Sequence, residues 1–349
     1  MPAGPTFGTV PAIRATLYGL TDRGRTRDHN EDTFLFADLD GPEPVRDSRL
    51  VERQVGDRGV LLLVADGMGG AAAGELASEM AATEIHRQVL AGWAATPLGT
   101  EESVATNLRR AVEAANAALF QHATTHADLR GMGTTATVAV IWRDRLYLAQ
   151  IGDSRAYLYR DGHAHQLTRD QSLTQRLVEV GELTEEEAEA SERRNIILQA
   201  LGPDPKVKVD LSWQRLQRDD LLVLCSDGLT SVVRRDEMSQ VIGQEHSVER
   251  IGQRLVELAN QGGGPDNITV MLARFGGDGL PEIADAPAYR EFPQAEDRPA
   301  LLPTAAFPAA MPPVAAPSPA PGRTTPTALA LSVIAVLMTI IGIAVLLSR

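Results

Sequence analysis

Hydrophobic and polar positions along this chain follow two periods. Val60–Ala65 is a continuous apolar run that ends on Asp66 and turns through three glycines, as LLLVADGMGG. A short apolar run bounded by glycine reads as a buried strand. Further runs predict strands at Ala12–Leu20, Thr33–Ala37, Thr134–Trp142, Arg145–Ile151, Arg155–Tyr159, Val207–Leu211, Asp220–Ser226 and Ile268–Phe275. Helical spacing marks Glu75–Leu90, with Leu76, Met80, Ile85 and Val89 on one face, and Val104–Ala123, with Leu108, Val112, Ala115 and Leu119. Asp236–Ile242 and Val248–Asn260 read as two more helices. The polar stretch Asp38–Arg58 predicts a surface loop, and Thr168–Gly202 a charged, helix-like insertion whose Glu185–Glu187 run is a solvated face. Strand runs on both sides of a central helix pair predict an α+β fold. The expectation is a four-layer α/β/β/α sandwich, two mostly antiparallel sheets flanked by helices, spanning residues 12–275.

The pattern changes after that. Residues 276–326 are rich in Pro and Ala and predict a disordered linker that cannot build a core. Thr327–Leu347 is almost wholly apolar. As a helix at about 1.5 Å per residue it is long enough to cross a bilayer core of about 30 Å. The N-terminal MPAGPTFGTVPAIRA has neither a basic start nor a long apolar run, so no signal peptide is evident. Together these predict a single-pass C-terminal anchor in the cell membrane, with the folded domain on the cytoplasmic side. Arg323 and Arg349 flank the segment symmetrically and hardly vote on orientation.

Composition adds exclusions. At 44% hydrophobic and 23% charged residues, the 349-residue chain is globular in type. A formal net charge of −13 argues against a nucleic-acid partner, which needs a basic surface. The single cysteine, Cys225 within LLVLCSDG, excludes an internal disulfide and a multi-cysteine zinc site, and reads as a buried filler.

The candidate chemistry lies where strands end. Asp66, Asp153 and Asp227 each follow an apolar run, and Asp266 precedes one. Carboxylates gathered in one pocket repel, and would protonate or push the fold apart without cations. Oxygen donors with no Cys or His nearby select hard divalent ions, Mn²⁺ or Mg²⁺, over zinc. Two such ions can activate a water for hydrolysis without a protein nucleophile. In DRGRTRDHNED, Glu31 and Asp32 add carboxylates beside a strand. Arg27 adds a guanidinium, which suits an anionic substrate such as a phosphate monoester, although alone it would read as a surface ion pair.

Seven stretches, RTRDHNED, VADGMGG, GMGTTATV, IGDSRAYL, LTRDQSLTQRLVEVGELT, CSDGL and GGPDNITV, occur in the order and rough spacing found in one family. Through them the chain, from about Leu17 to Arg274, resembles the bacterial type-2C, or PPM, metal-dependent protein serine/threonine phosphatases. The resemblance implies that Asp66 bridges two metals, with the Gly67 carbonyl on one of them and Asp227 and Asp266 on the other. It implies that Glu31 and Asp32 act through metal-bound waters and that Arg27 grips the phosphoryl oxygens. Asp153, with Asp227, matches the place of a third, weaker metal, and Asn267 and Thr134 lie behind the ligands. Thr134 and Thr135 read equally well as sheet packing, and Arg155 as a residue ordering its turn.

Some positions depart from the family. Met68 stands where eukaryotic relatives carry a histidine proposed as general acid, so leaving-group protonation must come from a water or elsewhere. Ala71, Gln171 and Ser191-Glu192 replace residues usual in bacterial members, the last three positions within what resembles the family's mobile flap. The resemblance further implies phosphorylated proteins as partners, among them serine/threonine kinases and their substrates. The alternative is a pseudophosphatase that binds phosphoproteins as a scaffold; it predicts a missing ligand.

Overall fold

The computed structural model describes residues 12–41, 43–95, 99–191 and 193–293. The strands are β1 (Arg14–Asp22), β2 (Asp32–Asp38), β3 (Val51–Gln54), β4 (Val60–Met68), β5 (Gly133–Thr134) and β6 (Ala136–Trp142). They continue with β7 (Arg145–Ile151), β8 (Arg155–Arg160), β9 (His163–Gln166), β10 (Asp210–Arg215), β11 (Leu221–Cys225) and β12 (Ile268–Gly276). The helices are α1 (Ala71–Ala95), α2 (Glu101–Thr125), α3 (Leu173–Glu179), α4 (Glu185–Ala190), α5 (Asp227–Thr230), α6 (Arg235–Gln244) and α7 (Val248–Gln261).

Two antiparallel sheets form, ordered β3-β1-β12-β11-β8-β9 and β10-β7-β6-β4-β2, with β5 added to the end of β4. The continuous apolar run of β4 follows from its place. Val60, Leu62 and Val64 meet the other sheet, packing with Leu222, Leu224 and Met271. Leu61, Leu63 and Ala65 face the opposite way, onto Ile85, Val89, Leu108 and Val112 of α1 and α2. On the far side, Val223, Val270 and Leu272 pack under Met238, Ile251 and Leu255 of α6 and α7. A strand covered on both faces has no polar face to alternate, so its sequence is apolar throughout. The α/β/β/α sandwich is therefore as expected.

Local chemistry explains the ends. Thr100 caps α2 in a reciprocal capping box with Ser103, which satisfies two N–H groups that the first turn leaves orphaned. Asp161 and Gly162 both have positive φ, +52° and +85°, the conformation a two-residue hairpin needs to match strand twist. That turn leads into β9, a strand the sequence pattern does not announce because HAHQ is polar. The stretch Asp38–Arg58 is likewise not all loop. Val45 bridges to Phe36, and β3 pairs with β1 although Val51 is its single buried residue.

Three further expectations shift. The strand expected at Val207–Leu211 forms at Asp210–Arg215, where it pairs with β7 and buries Leu211, Ser212 and Gln214. The helix-like insertion 168–202 makes only two short helices, and few of its described residues are buried. The chain also does not leave the domain at Gly276. Leu280 and Phe292 are buried, Trp213 N–H donates to the Arg290 carbonyl at 3.0 Å, and Phe292 N–H donates to the Leu211 carbonyl at 2.7 Å. Residues 290–292 thus run along the outer edge of β10, so they belong to the domain and not to the expected linker. The remainder of that linker and the apolar segment 327–347 lie outside the described residues. Among the described residues, no helix is long and apolar enough to cross a membrane.

Candidate active site

One end of the sandwich gathers the acidic residues. Asp32 opens β2 and lies directly across from Asp66 on β4, so their Cα atoms are about 5 Å apart as antiparallel partners. Asp153 sits in the β7–β8 turn, Asp227 begins α5 just after β11, and Asp266 lies two residues before β12. Each sheet contributes carboxylates, and the cleft is their common edge. Asp32 and Asp153 are buried, whereas Asp66 and Asp227 keep part of their surface open to water.

Backbone geometry sets each side chain. Thr135 Oγ1 accepts the Asp66 N–H at 3.0 Å, while the Asp66 carbonyl accepts from Thr134 Oγ1 at 2.9 Å and from Thr135 N–H at 2.9 Å. Both threonines therefore pin the Asp66 backbone. Thr135 Oγ1 also bonds Ser154 Oγ at 2.7 Å, which joins the β4 end to the Asp153 turn. Ser226 Oγ donates to Asp32 Oδ2 at 2.7 Å and accepts the Thr269 N–H at 3.0 Å, tying one sheet to the other. Asn267 braces more than Asp266. Its backbone N–H donates to Asp266 Oδ1 at 2.9 Å, but its side chain accepts the Glu31 N–H at 2.8 Å and donates to the Arg23 and His29 carbonyls. The Arg27–Glu31 loop is thereby fixed. Gly24 turns it with φ +78°, and any Cβ there would collide with the Asp266 carbonyl.

Arg27 Nη2 bonds Asp266 Oδ2 at 2.8 Å, with the guanidinium about half exposed. Arg155 does not reach into the cleft. It forms a bidentate pair with Asp170 at 2.7–3.0 Å, as its reading as a turn-ordering residue expects. Cys225 is buried, and burial pushes its thiol up to about 12, which leaves it inert. Gly67 is tightly packed: a side chain there would strike the Gly74 and Glu31 carbonyls.

The electrostatics are those of an over-filled anionic cleft. Burial pushes Asp32 up to about 7 despite hydrogen bonds from Thr269 and Ser226, with Asp227 and Asp266 adding repulsion. Burial, then Asp227 and Asp170, push Asp153 up to about 8. Asp66 is raised well above the ordinary carboxylate range by burial, and then by Asp32, Asp227, Asp153 and Asp266. Asp227 is raised by burial and Asp266, and partly relieved by a hydrogen bond with Asp66. Burial raises Glu31 while Arg27 lowers it.

No three His, Cys, Asp or Glu side chains among the described residues are closed into a ready metal cage. The oxygen inventory is nevertheless that of a cation site. Asp32 Oδ1, Asp153 Oδ1 and Asp227 Oδ1 are buried with no N–H or O–H donor. Buried carboxylate oxygens are normally satisfied, and three orphans facing a shared cleft fit a hard divalent cation. Ser226, Thr135 and Ser154 were not distinguished as functional by residue type alone. Their signal is adjacency: each neighbours a cleft aspartate in sequence or across a strand pair.

Comparison with known proteins supplies the class. The protein phosphatase 2C profile matches residues 42–266, which includes Asp66, Asp153, Asp227 and Asp266 and begins after Arg27, Glu31 and Asp32. The serine/threonine phosphatase stp of Listeria welshimeri is 39% identical over 253 residues, 72% of this chain and 92% of that protein. The Streptococcus agalactiae serine/threonine phosphatase structure superposes with a TM-score of 0.64 at 35% identity, covering 74% of this chain and 99% of that one. The catalytic domain of the serine/threonine protein phosphatase PstP, solved with two manganese ions, has a TM-score of 0.60 at 35% identity, covering 76% and 99%. The chain belongs to the protein phosphatase 2C family and is a serine/threonine phosphatase.

Proposed function

We propose that the cleft is a two-metal centre, Mn²⁺ or Mg²⁺, with room for a third, weaker ion. In this reading, Asp66 would be the ligand common to both ions, and the Gly67 carbonyl, Asp227 and Asp266 would help to hold them. Glu31 and Asp32 would contribute through waters, and Asp153 with Asp227 would serve the weaker position. The three orphaned buried oxygens of Asp32, Asp153 and Asp227 are the observation that carries this. The manganese pair in the PstP relative supports it. When bound, the cations neutralise the carboxylates and activate water for attack on phosphorus.

The chain's own residues do the rest. Arg27 holds its guanidinium at the rim through one nitrogen on Asp266, and its remaining N–H groups suit two phosphoryl oxygens in bidentate fashion. Thr134, Thr135 and Ser226 keep Asp66 and Asp32 oriented, and Asn267 holds the Arg27 loop. Met68 offers no proton, so the seryl or threonyl leaving oxygen takes its proton from water. The substrates are phosphoserine and phosphothreonine on proteins, among them serine/threonine kinases and their targets.

The apolar segment 327–347 supports tethering of this phosphatase to the cell membrane, with residues from about 294 to 326 as spacer and the catalytic domain in the cytoplasm. Tethering would raise its effective concentration towards membrane-bound phosphoproteins.

The test is hydrolysis of a phosphothreonine peptide in Mn²⁺, against EDTA and against Asp66→Asn. Loss under both treatments is expected. Activity surviving both would overturn the metal centre, and no turnover under any divalent ion would favour a scaffold. Removing residues 303–349 is expected to leave peptide rates unchanged and to abolish flotation with vesicles.

A further inference from the structure

We propose that Tyr289 is a positioning residue, through which the C-terminal strap 283–293 holds the root of the 167–201 segment against the Asp153 turn. The strap is firmly built. Phe292 packs on Tyr147 with ring centroids 6.0 Å apart, Ile283 N–H donates to Gln217 Oε1 at 3.2 Å, and the Asp285 carbonyl accepts from Arg160 Nη1 at 3.1 Å. Its main chain satisfies the β10 edge without help from Tyr289. The Tyr289 side chain instead reaches elsewhere. Its hydroxyl donates to Asp210 Oδ1 at 2.8 Å, and the Arg169 guanidinium lies 4.1 Å over its ring.

Arg169 is the last residue before the two that grip the site. Asp170 takes the bidentate pair from Arg155, two residues after Asp153. Gln171 Oε1 accepts the Gly152 N–H at 2.9 Å, and Gln171 N–H donates to the Gly152 carbonyl at 2.9 Å. The returning limb attaches at the same point, where Leu198 N–H donates to the Gln171 carbonyl at 2.7 Å. Between these roots the segment has little core of its own: Val180, Ile196 and Leu198 are 54%, 45% and 55% exposed. Its placement beside the Asp153 turn therefore depends on its roots, and Tyr289 clamps one of them.

The experiment uses the full chain with Tyr289→Ala, Tyr289→Phe and Arg169→Gln. It reads tryptic cleavage at Arg193 and Arg194, KM and kcat on a phosphothreonine peptide in Mn²⁺, and the thermal midpoint. Tyr289→Ala and Arg169→Gln should raise the cleavage rate and KM roughly three- to tenfold, the size of one partly exposed cation–π contact with its hydrogen bond. The thermal midpoint should hold, and kcat should change less than KM. Tyr289→Phe, which keeps the ring over Arg169, should recover most of the wild-type values. Wild-type cleavage and KM in both Tyr289→Ala and Arg169→Gln would overturn the proposal. So would a lowered midpoint with equal losses in KM and kcat for Tyr289→Ala while Arg169→Gln is silent, since Tyr289 would then be a packing residue. Should Tyr289→Ala not fold, Arg169→Gln decides alone, because it leaves the strap's buried contacts intact.

Discussion

The two ends of β11 bury carboxylates in opposite ways. Just before the strand, Asp220 is wholly buried against Arg160, whose Nε and Nη2 reach its two oxygens at 2.8 and 2.6 Å, and Gln217 N–H adds a third bond at 2.9 Å. Just after it, Asp227 keeps an orphaned oxygen and shares its cleft with four more aspartates. The first carboxylate is completed within the chain; the second is left to something brought in. Even so, burial raises Asp220 against the opposing pull of Arg160, because an internal partner offsets desolvation only in part. Burial of charge is thus common to structure and site. Internal completion is what separates them.

The largest expected effect breaks the incomplete end. Asp66→Asn removes the shared ligand and should lower kcat on a phosphothreonine peptide by roughly 10³ or more, the scale lost when electrostatic stabilisation of a reacting centre is removed. Its metal-free form should melt higher than wild type, because one repelling carboxylate is gone. A lower metal-free midpoint would contradict the repulsion described above.

Next comes the complete end. Arg160→Met leaves Asp220 buried without its partner and should cost about 3–5 kcal/mol in urea unfolding. Asp220→Asn in the same background should recover part of that loss. The strap is held partly by Arg160, so unfolding monitored at Trp213 is the suitable probe. A loss below about 1 kcal/mol would mean that water reaches the pair.

The pH response follows from the raised aspartates. Asp32 and Asp153 move from 3.8 to about 7 and about 8, so the native state binds more protons than the unfolded state across that window. Stability of the metal-free protein should therefore fall as pH rises through it, by on the order of 3–7 kcal/mol between pH 5 and pH 8.5 in EDTA, the upper figure being independent titration of the two groups. Mn²⁺ should flatten the profile, stabilising more at pH 8.5 than at pH 6. A flat profile in EDTA would show that the carboxylates are relieved from within, as Asp220 is.

The smallest effect sharpens the contrast. Ser226→Ala removes the hydroxyl that donates to Asp32 Oδ2 and should weaken Mn²⁺ binding about 10- to 100-fold by calorimetry, as outer-shell losses do. Its effect on stability in EDTA should be under about 2 kcal/mol, the scale of one hydrogen bond to a charged group.

Much of this was legible along the chain. The runs VLLLVAD and LLVLCSD announce strands buried on both faces, and each deposits an aspartate at its end. The motif order supports the same class as the fold and the relatives. What failed was polar or short: VERQ of β3 and HAHQ of β9 are edge strands with one buried residue each, and edge strands lack the apolar pattern by which strands are recognised. β10 was misplaced because Ser212 and Gln214 are buried polar residues, a choice that neighbouring strands make and local pattern cannot. Proline and alanine after Gly276 suggested an early linker, although Leu280 and Phe292 were available to pack once a sheet edge existed.

The sequence by itself determined the layers, the strand-end aspartates and the chemical type of the cleft, because these depend on the local period of apolar residues and on donor chemistry. Tertiary structure alone decided which carboxylates are completed and which are left wanting. Asp220 and Asp227 are seven positions apart and alike in sequence context. Their difference comes from residues 60 positions away at Arg160, on one side, and from Asp32, Asp66 and Asp266 on the other. Long-range electrostatics is set by which distant segments the sheets bring together, and no local pattern encodes that.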